Sequence, residues 1–169
     1  VAGDLVTWSR GLTDCGRILK PLGKRAWVLP GNHESSEHIA RFCQQFGLLN
    51  FHENVFEACS HYFAGLGYSN PTPFNTPGEY TEDEIGKKLD KFSELSPLVL
   101  TCHAPPLETK LDQLGNGKHA GSQAVREFID RRQPAYFFCG HIHEAAGATI
   151  ELGVTQAWNV GKVGYMLEI

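Results

Sequence analysis

The sequence predicts a layered α/β domain, and three observations lead to this prediction. Apolar runs of the length of a buried strand alternate with amphipathic helical segments along the 169 residues. No repeat, low-complexity tract or linker divides the chain, so a single domain over residues 1–169 is expected. Each apolar run also ends in a short polar cluster, which is typical of strands that deliver side chains to one edge of a sheet.

The composition is that of a globular protein, with 41% hydrophobic and 20% charged residues. No apolar stretch is long enough to span a bilayer and no signal peptide is visible, so we expect no membrane partner. Five cysteines form no C-x-x-C pair, which fits a reducing compartment and a cytoplasmic location. The formal charge of -4 argues against nucleic-acid binding, because it supplies no basic field for a phosphate backbone.

The first half of the chain alternates strands with a helix. The apolar run 26–29 predicts a buried strand. Ser35 opens an amphipathic helix that ends at Gly47, since its apolar residues recur at i, i+3, i+4 and i+7. Short runs between about 51 and 68 predict paired strands, and a loop rich in Pro, Gly and Asn covers 69–79.

The next segment repeats the same alternation. Thr81 and Glu84 have the spacing of a capping box, which predicts a helix to about Leu95. The run 98–102 predicts a core strand, and the loop 104–121 that follows is long enough to suggest a functional role.

The last third of the chain completes the predicted sheet. Ser122 opens another helix, and the run 135–139 predicts a further core strand. The tail 148–169 suggests three short strands separated at Gly153 and Gly161. Their edges leave a homo-oligomer open.

Polar clusters follow the apolar runs, and four of the eight histidines of the chain lie in these clusters. The clusters are Gly3-Asp4, Gly31-Asn32-His33-Glu34, His103 and Gly140-His141-Ile142-His143. Ligands bind beyond the carboxyl ends of strands in α/β sheets, so the clusters can converge on one crevice. A carboxylate, an amide oxygen and imidazoles suit divalent Mn, Fe, Zn, Co or Ni.

This ordered set of motifs resembles the calcineurin-like metallophosphoesterases, and the resemblance covers essentially the whole chain. The loop that starts His103-Ala104-Pro105-Pro106 and continues through Gly117-Lys118-His119-Ala120-Gly121 resembles more narrowly their small prokaryotic, Icc-like branch. The resemblance implies an α/β/β/α sandwich. It also implies a hydrolase that cleaves a small phosphomonoester or phosphodiester.

The resemblance further implies a site with two divalent metal ions. Asp4 would bridge the two metals, and His143 would belong to one of the two sites. The other site would be completed by Asn32, His103 and His141. His33 would be the general acid rather than a ligand, while a metal-activated hydroxide attacks the phosphorus.

One part of the family pattern has no counterpart among these residues. The family carries an Asp-x-His motif at the end of its first strand, about thirty residues before the Gly-Asp motif. We therefore expect the natural polypeptide to be longer, with a further central strand and two further ligands. If the chain is complete as it stands, one-metal binding or no catalysis is the better expectation.

Other readings of the sequence stay open. A metallophosphatase-fold scaffold without catalysis, acting through protein contacts, is the alternative to an enzyme, and a nuclease is disfavoured by the charge. His119 is a weak candidate for substrate binding, and a solvated loop histidine explains it about as well. Contact with a substrate phosphate is a weaker expectation for Lys110, Asn116 and Lys118, because exposed loop residues of these types are common. Residues expected to be structural are His38, His52 and His61, and the aromatic side chains expected in the core include Trp8, Trp27, Phe74 and Trp158.

Overall fold

The computed structural model of this chain describes residues 1–8 and 10–169. Its α-helices are α1 (Leu12–Leu19), α2 (Ser36–Phe46), α3 (Glu82–Asp90) and α4 (Gln123–Arg132). Its strands are β1 (Trp27–Val28), β2 (Leu49–Asn50), β3 (Asn54–Ala58), β4 (His61–Leu66), β5 (Leu98–Cys102), β6 (Tyr136–Cys139), β7 (Thr149–Leu152) and β8 (Thr155–Asn159). The alternation confirms the predicted mixed α/β class.

Six strands form the main sheet, in the order β3-β4-β5-β6-β8-β7. Neighbours among β4, β5, β6 and β8 are parallel, whereas β3 and β7 join the two borders in antiparallel orientation. The carboxyl ends of the four parallel strands therefore lie along one edge. A second sheet consists of β1 and β2, which are parallel to each other.

The helices cover the outer faces of the two sheets. Ile85 of α3 and Phe128 of α4 share one apolar core with Leu100 of β5. Helix α2 packs Ile39 and other apolar residues against Val28 of the small sheet. The burial of these faces is the main stabilising term of such a layered domain.

Aromatic side chains join the two sheets. The ring of Trp27 in β1 contacts Phe56 of β3 and Phe63 of β4, with ring centres 4.9 and 5.3 Å apart. Beside them, a cavity of about 400 Å³ is lined by residues of both sheets, including Val99 and Phe138. The arrangement, helices outside two facing sheets, is the predicted sandwich.

The helix caps that the sequence predicts are present in the structure. The Ser35 hydroxyl accepts a hydrogen bond from the backbone N–H of His38, and α2 ends at Gly47 in the left-handed conformation. Thr81 and Glu84 form both bonds of the predicted capping box of α3. Hydroxyl caps of this kind typically stabilise a helix by about 1 kcal/mol.

Three of the predicted boundaries were wrong. Helix α3 ends at Asp90 rather than near Leu95, and turns follow it. Ala2 forms an isolated parallel bridge to Leu29, where the apolar run before Gly3-Asp4 suggested a strand end. The tail forms two strands instead of three, because the chain turns at residues 161–163 and the described residues after them make no further strand pairing.

No helix among the described residues combines the length and the apolar content that crossing a bilayer requires.

Candidate functional site

The predicted site residues come together at the carboxyl edge of the sheets. The segment after β1 carries Asn32 and His33, β5 leads directly into His103, and β6 leads into His141 and His143. Asp4 joins them because the bridge between Ala2 and Leu29 holds its loop beside β1. Parallel strands from different parts of the chain thus deliver one cluster.

The donor atoms of this cluster lie within a few ångströms of one another. Nε2 of His103 is 3.4 Å from Oδ2 of Asp4 and 3.2 Å from Oδ1 of Asn32. Nδ1 of His141 is 3.0 Å from the same Asn32 oxygen. Candidate ligand atoms of Asp4, His103 and His141 all fall within 4.8 Å of each other. Nε2 of His143 lies 4.0 Å from Oδ2 of Asp4 and is the most exposed member, with 60% of its side chain accessible.

The chemistry of these donors fits a bound cation. Nδ1 of His103 donates a hydrogen bond to the Ala2 carbonyl at 2.7 Å, and a carbonyl can only accept. Once its proton is lost, Nε2 of this ring presents a lone pair toward the Asp4 and Asn32 oxygens. Lone pairs that converge in this way are stabilised by a positive charge between them, and a backbone carbonyl behind a ligating imidazole is a common arrangement in metal sites.

The electrostatics of the cluster are consistent with such a site. Burial alone would raise the pKa of Asp4, but the charge and hydrogen bond of His103 and the His33 N–H outweigh it and hold that pKa at about 2. Burial would lower the pKa of His103, and the nearby Asp4 carboxylate raises it instead. Burial, together with the charge of His103, lowers the pKa of His141 to about 3, so this ring is neutral and its lone pair is free to ligate.

The backbone around the cluster is strained and closely packed. Asp4 and His141 have positive φ angles of 48° and 64°, which are unusual for residues with a side chain. A Cβ atom at Gly31 would lie 2.0 Å from Oδ1 of Asp4, so only glycine leaves room for the carboxylate. Strain of this kind concentrates at functional sites.

Two buried polar side chains hold the loops that carry the candidate ligands. Both carboxylate oxygens of Glu34 accept backbone hydrogen bonds, from Val6 at 3.0 Å and from Gly31 at 2.8 Å. Nδ2 of Asn159 lies within hydrogen-bond distance of three carbonyl oxygens, including those of Gly140 and Ile142 on either side of His141. Glu34 thus joins the loops of Asp4 and Asn32, and Asn159 fixes the loop of His141.

The orientation of the Asn32 amide depends on a residue that sequence reasoning missed. Nδ2 of Asn32 donates to the Thr76 hydroxyl at 3.1 Å, so Oδ1 points toward His103 and His141. The Thr76 hydroxyl in turn donates to Oε1 of Glu79 at 2.6 Å. The only feature of the sequence that pointed to this role of Thr76 was its position in the predicted 69–79 loop.

An adjoining cavity of about 590 Å³ contains the predicted acid, His33. The backbone N–H of His33 donates to Asp4 at 3.3 Å, and its ring packs edge-on against Trp8 with centres 5.7 Å apart. Trp8 and Phe74 line this cavity and are 48% and 73% exposed, so their expected place in the core was wrong. Trp158, in contrast, is buried as expected.

The remaining histidines fall outside the cluster. Nδ1 of His119 is 2.7 Å from the buried Asp112 carboxylate, and the cavity wall nearby is formed by Leu114 and Ala120 rather than by His119. The His52 ring is buried and its Nδ1 accepts a hydrogen bond from the Gly67 N–H at 3.0 Å, which fits the expected structural role. His38 lies on the exposed side of α2, as expected.

Residues 1–145 match the sequence profile of the family described as calcineurin-like phosphoesterase. The chain belongs to this family. Membership confirms the resemblance seen in the motifs, and with it the expected class of enzyme, a hydrolase of phosphoric esters. It also favours the enzyme over the alternative of a non-catalytic scaffold.

Individual relatives and solved structures agree with this assignment. "Uncharacterized protein MJ1162" of Methanocaldococcus jannaschii is 36% identical over 152 residues, which span 86% of this chain and 68% of that protein. "Probable glycerophosphodiester phosphodiesterase GpdQ" of Arcobacter nitrofigilis is 20% identical, and the match spans 92% of this chain but only 59% of that protein. The crystal structure of phosphopantetheinyl hydrolase from Mycobacterium tuberculosis has the same fold, with a TM-score of 0.68 at 16% identity over 98% of this chain and 78% of that one.

Proposed function

We propose that this phosphoesterase is a metal-dependent hydrolase of small phosphomonoesters or phosphodiesters, with His33 as its general acid. The observation that carries the proposal is the convergence of donor atoms from Asp4, Asn32, His103 and His141 beside the cavity that contains His33. The names of a phosphodiesterase and a phosphopantetheinyl hydrolase among the similar proteins support an ester of this kind.

Divalent ions such as Mn, Fe, Zn, Ni or Co, two of them when the site is complete, would withdraw charge from the phosphoryl oxygens and acidify a bound water. Asn32, His103 and His141 would hold one ion, and Asp4 would bridge to a second ion that His143 serves. The buried His103 is braced by the Ala2 carbonyl, and the Asn32 amide is oriented by Thr76. These contacts place donors in advance, which lowers the reorganisation that binding requires.

His33 is suited to protonate the leaving group. Its backbone N–H donates to the carboxylate of Asp4, while its ring lies in the cavity where an ester would sit. In the proposed reaction the oxygen of a water bonds to phosphorus while that water gives up a proton to solvent. The phosphorus–oxygen bond to the alcohol breaks, and His33 gives its proton to the departing oxygen and then regains one from solvent. The products are a free alcohol and a phosphate or phosphate monoester.

The proposal is tested by assaying the full chain, loaded in turn with Mn²⁺, Zn²⁺, Co²⁺, Ni²⁺ or Fe²⁺, on aryl phosphomonoesters, phosphodiesters and cyclic nucleotides. We expect metal-dependent turnover of at least one ester class. No turnover of any ester with any of these metals would contradict the proposal.

The role of His33 is tested by His33→Asn, with His38→Asn on the exposed side of α2 as the matched control. Loss of a general acid typically lowers the rate by about 10²–10⁴-fold, and most for alcohols that are poor leaving groups. We therefore expect a steep dependence of the residual rate on leaving-group pKa in His33→Asn only. An equal loss for good and poor leaving groups would reject the acid role.

A further inference from the structure

The cavity beside the candidate metal centre has a chemically mixed lining. It combines the polar cluster, with Asp4, Asn32 and His141, with a set of mainly apolar side chains that we call the apolar wall. Trp8, Phe74, Leu114 and Ile142 contribute to that apolar wall, together with Pro71 and Pro73. A volume of about 590 Å³ is within the range of pockets that enclose a small organic molecule.

The two aromatic side chains of this wall are far more accessible than such rings usually are. Trp8 is 48% and Phe74 is 73% exposed, and neither belongs to the buried cores under the sheets. Exposed aromatic surface that lines a concave site is typical of ligand recognition.

The position of Trp8 relates this wall to the leaving group of the proposed reaction. Its ring packs edge-on against the ring of His33, 5.7 Å between centres. Because His33 is the proposed proton donor to the departing oxygen, the group attached to that oxygen extends along the side of the cavity where Trp8 lies. Trp8 therefore lies on the side that receives the alcohol of the ester rather than its phosphoryl group.

Phe74 is held over the cavity by a loop that is anchored on both sides. Its backbone N–H donates to the Thr72 hydroxyl at 3.2 Å, and Thr72 donates to Glu79 at 2.6 Å. Nδ2 of Asn70 donates to the Ala120 and Gly121 carbonyls on the opposite loop, at 3.4 and 3.3 Å. The two loops thus define the cavity before any ligand binds, which favours selective recognition.

The charges around the cavity restrict the alcohol further. Apart from the cluster of Asp4 and the histidines, Glu144 is the charged residue of the lining, and no lysine or arginine lines the cavity in the part of the chain that the structure describes. An alcohol that carries additional phosphate or carboxylate groups would lack a cationic partner here.

We propose that this cavity selects esters whose alcohol is uncharged and aromatic or otherwise broadly apolar, with Trp8 and Phe74 as the residues that determine the selectivity. The inference rests on the proposed function for the orientation of the ester. Stacking on a ring contributes up to about tenfold in affinity, so each of the two residues is expected to contribute on that scale.

The test has a binding arm and a kinetic arm. In the binding arm, 2-naphthylphosphonate, 3-carboxyphenylphosphonate and methylphosphonate are titrated into the metal-loaded full chain by calorimetry. We expect the naphthyl compound to bind tightest. Trp8→Ala and Phe74→Ala should each weaken it by about tenfold, while methylphosphonate changes by less than about twofold. In the kinetic arm, KM for naphthyl esters should rise in the same two variants.

Two variants serve as controls. Trp8→Phe keeps a ring in place and should recover most of the naphthyl affinity, which a general defect of folding would not allow. Val154→Ala, at an exposed site outside the cavity lining, should bind all three phosphonates like the wild-type chain.

The outcomes separate this inference from the proposed function. Ester hydrolysis without any preference for aromatic alcohols, or a preference that survives both alanine substitutions, would overturn the inference and leave the proposed function in place. Naphthylphosphonate binding that depends on Trp8 and Phe74, without hydrolysis of any ester, would support the recognition site and overturn the proposed function.

Discussion

Replacing Thr76 by valine is expected to weaken metal binding although Thr76 is not a candidate ligand. Valine keeps the shape of threonine but removes the hydroxyl that accepts the Asn32 amide hydrogen at 3.1 Å. Asn32 is only 4% exposed, so its amide N–H cannot turn to water. An unpaired buried donor of this kind costs about 1–3 kcal/mol.

The same substitution removes the hydrogen bond that keeps Oδ1 of the Asn32 amide toward the histidines. With the Thr76 hydroxyl absent, the inverted amide places its NH₂ group against the lone pairs of His103 and His141. A metal ion must then reorient the amide before it can bind. Loss of such an orienting partner lowers metal affinity by about 10–100-fold in comparable sites.

The assay is calorimetric titration of Mn²⁺ and Zn²⁺ into the metal-free chain, with chemical denaturation to measure stability. Thr76→Ser keeps the hydroxyl and should bind metal like the wild type. Thr72→Val removes the other hydroxyl that donates to Glu79, at 2.6 Å, without touching Asn32, and should also retain affinity. Equal metal affinity in Thr76→Val and wild type would refute the orienting role, and so would equal losses in the two valine variants.

Three further predictions concern the glycine under the carboxylate, a buried histidine and a buried glutamate. Gly31→Ala should abolish measurable metal binding because the added Cβ would meet Asp4 at 2.0 Å, whereas Gly86→Ala on α3, with its nearest contact at 3.9 Å, should bind metal normally; titration of the two variants checks the pair. Burial lowers the pKa of His52 from 6.5 to about 4, so the folded chain keeps this ring neutral where the unfolded chain takes up a proton. The contribution of His52 to the free energy of unfolding is then complete above pH 6.5 and falls by about 3 kcal/mol as the pH drops to 4. His52→Gln should flatten this part of the pH dependence of stability, measured by urea denaturation. The same pH dependence in the variant and wild type would contradict the prediction. Glu34→Gln replaces one of two accepting oxygens by a donor, so one buried backbone N–H loses its partner. The free energy of unfolding should fall by about 1–3 kcal/mol, measured by urea denaturation. A variant as stable as wild type would show that the contact is dispensable.

The candidate ligands were predictable because their signal is local. Apart from Asp4, each of them follows an apolar strand within a few residues, as His103 follows β5 and His141 follows β6. The parallel arrangement of those strands then brings the clusters to one edge, a consequence of the sheet that the α/β alternation already implied. The helix caps at Ser35 and Thr81 were predictable for the same reason.

The supporting residues were not predictable because their partners are distant in sequence. Thr76 contacts Asn32 across 44 positions, and no local pattern distinguishes it from any other loop threonine. Trp8 and Phe74 have the composition of core residues, and only the folded loops show that they line a cavity instead. Among the described residues the predicted third tail strand is absent, because the chain turns at residues 161–163 and makes no further strand pairing, which the local sequence pattern does not show.

The central claim is that this cluster binds the metal on which phosphoester hydrolysis depends. The most direct test titrates Mn²⁺ into the metal-free full chain and follows metal binding and turnover of 4-nitrophenyl phosphate and bis(4-nitrophenyl) phosphate in the same samples, for wild type and His141→Ala. We predict that turnover of at least one ester rises with occupancy and saturates with it, and that His141→Ala loses binding and turnover together. Turnover that persists after the metal is removed by a chelator, or full metal occupancy without turnover of either ester, would contradict the claim.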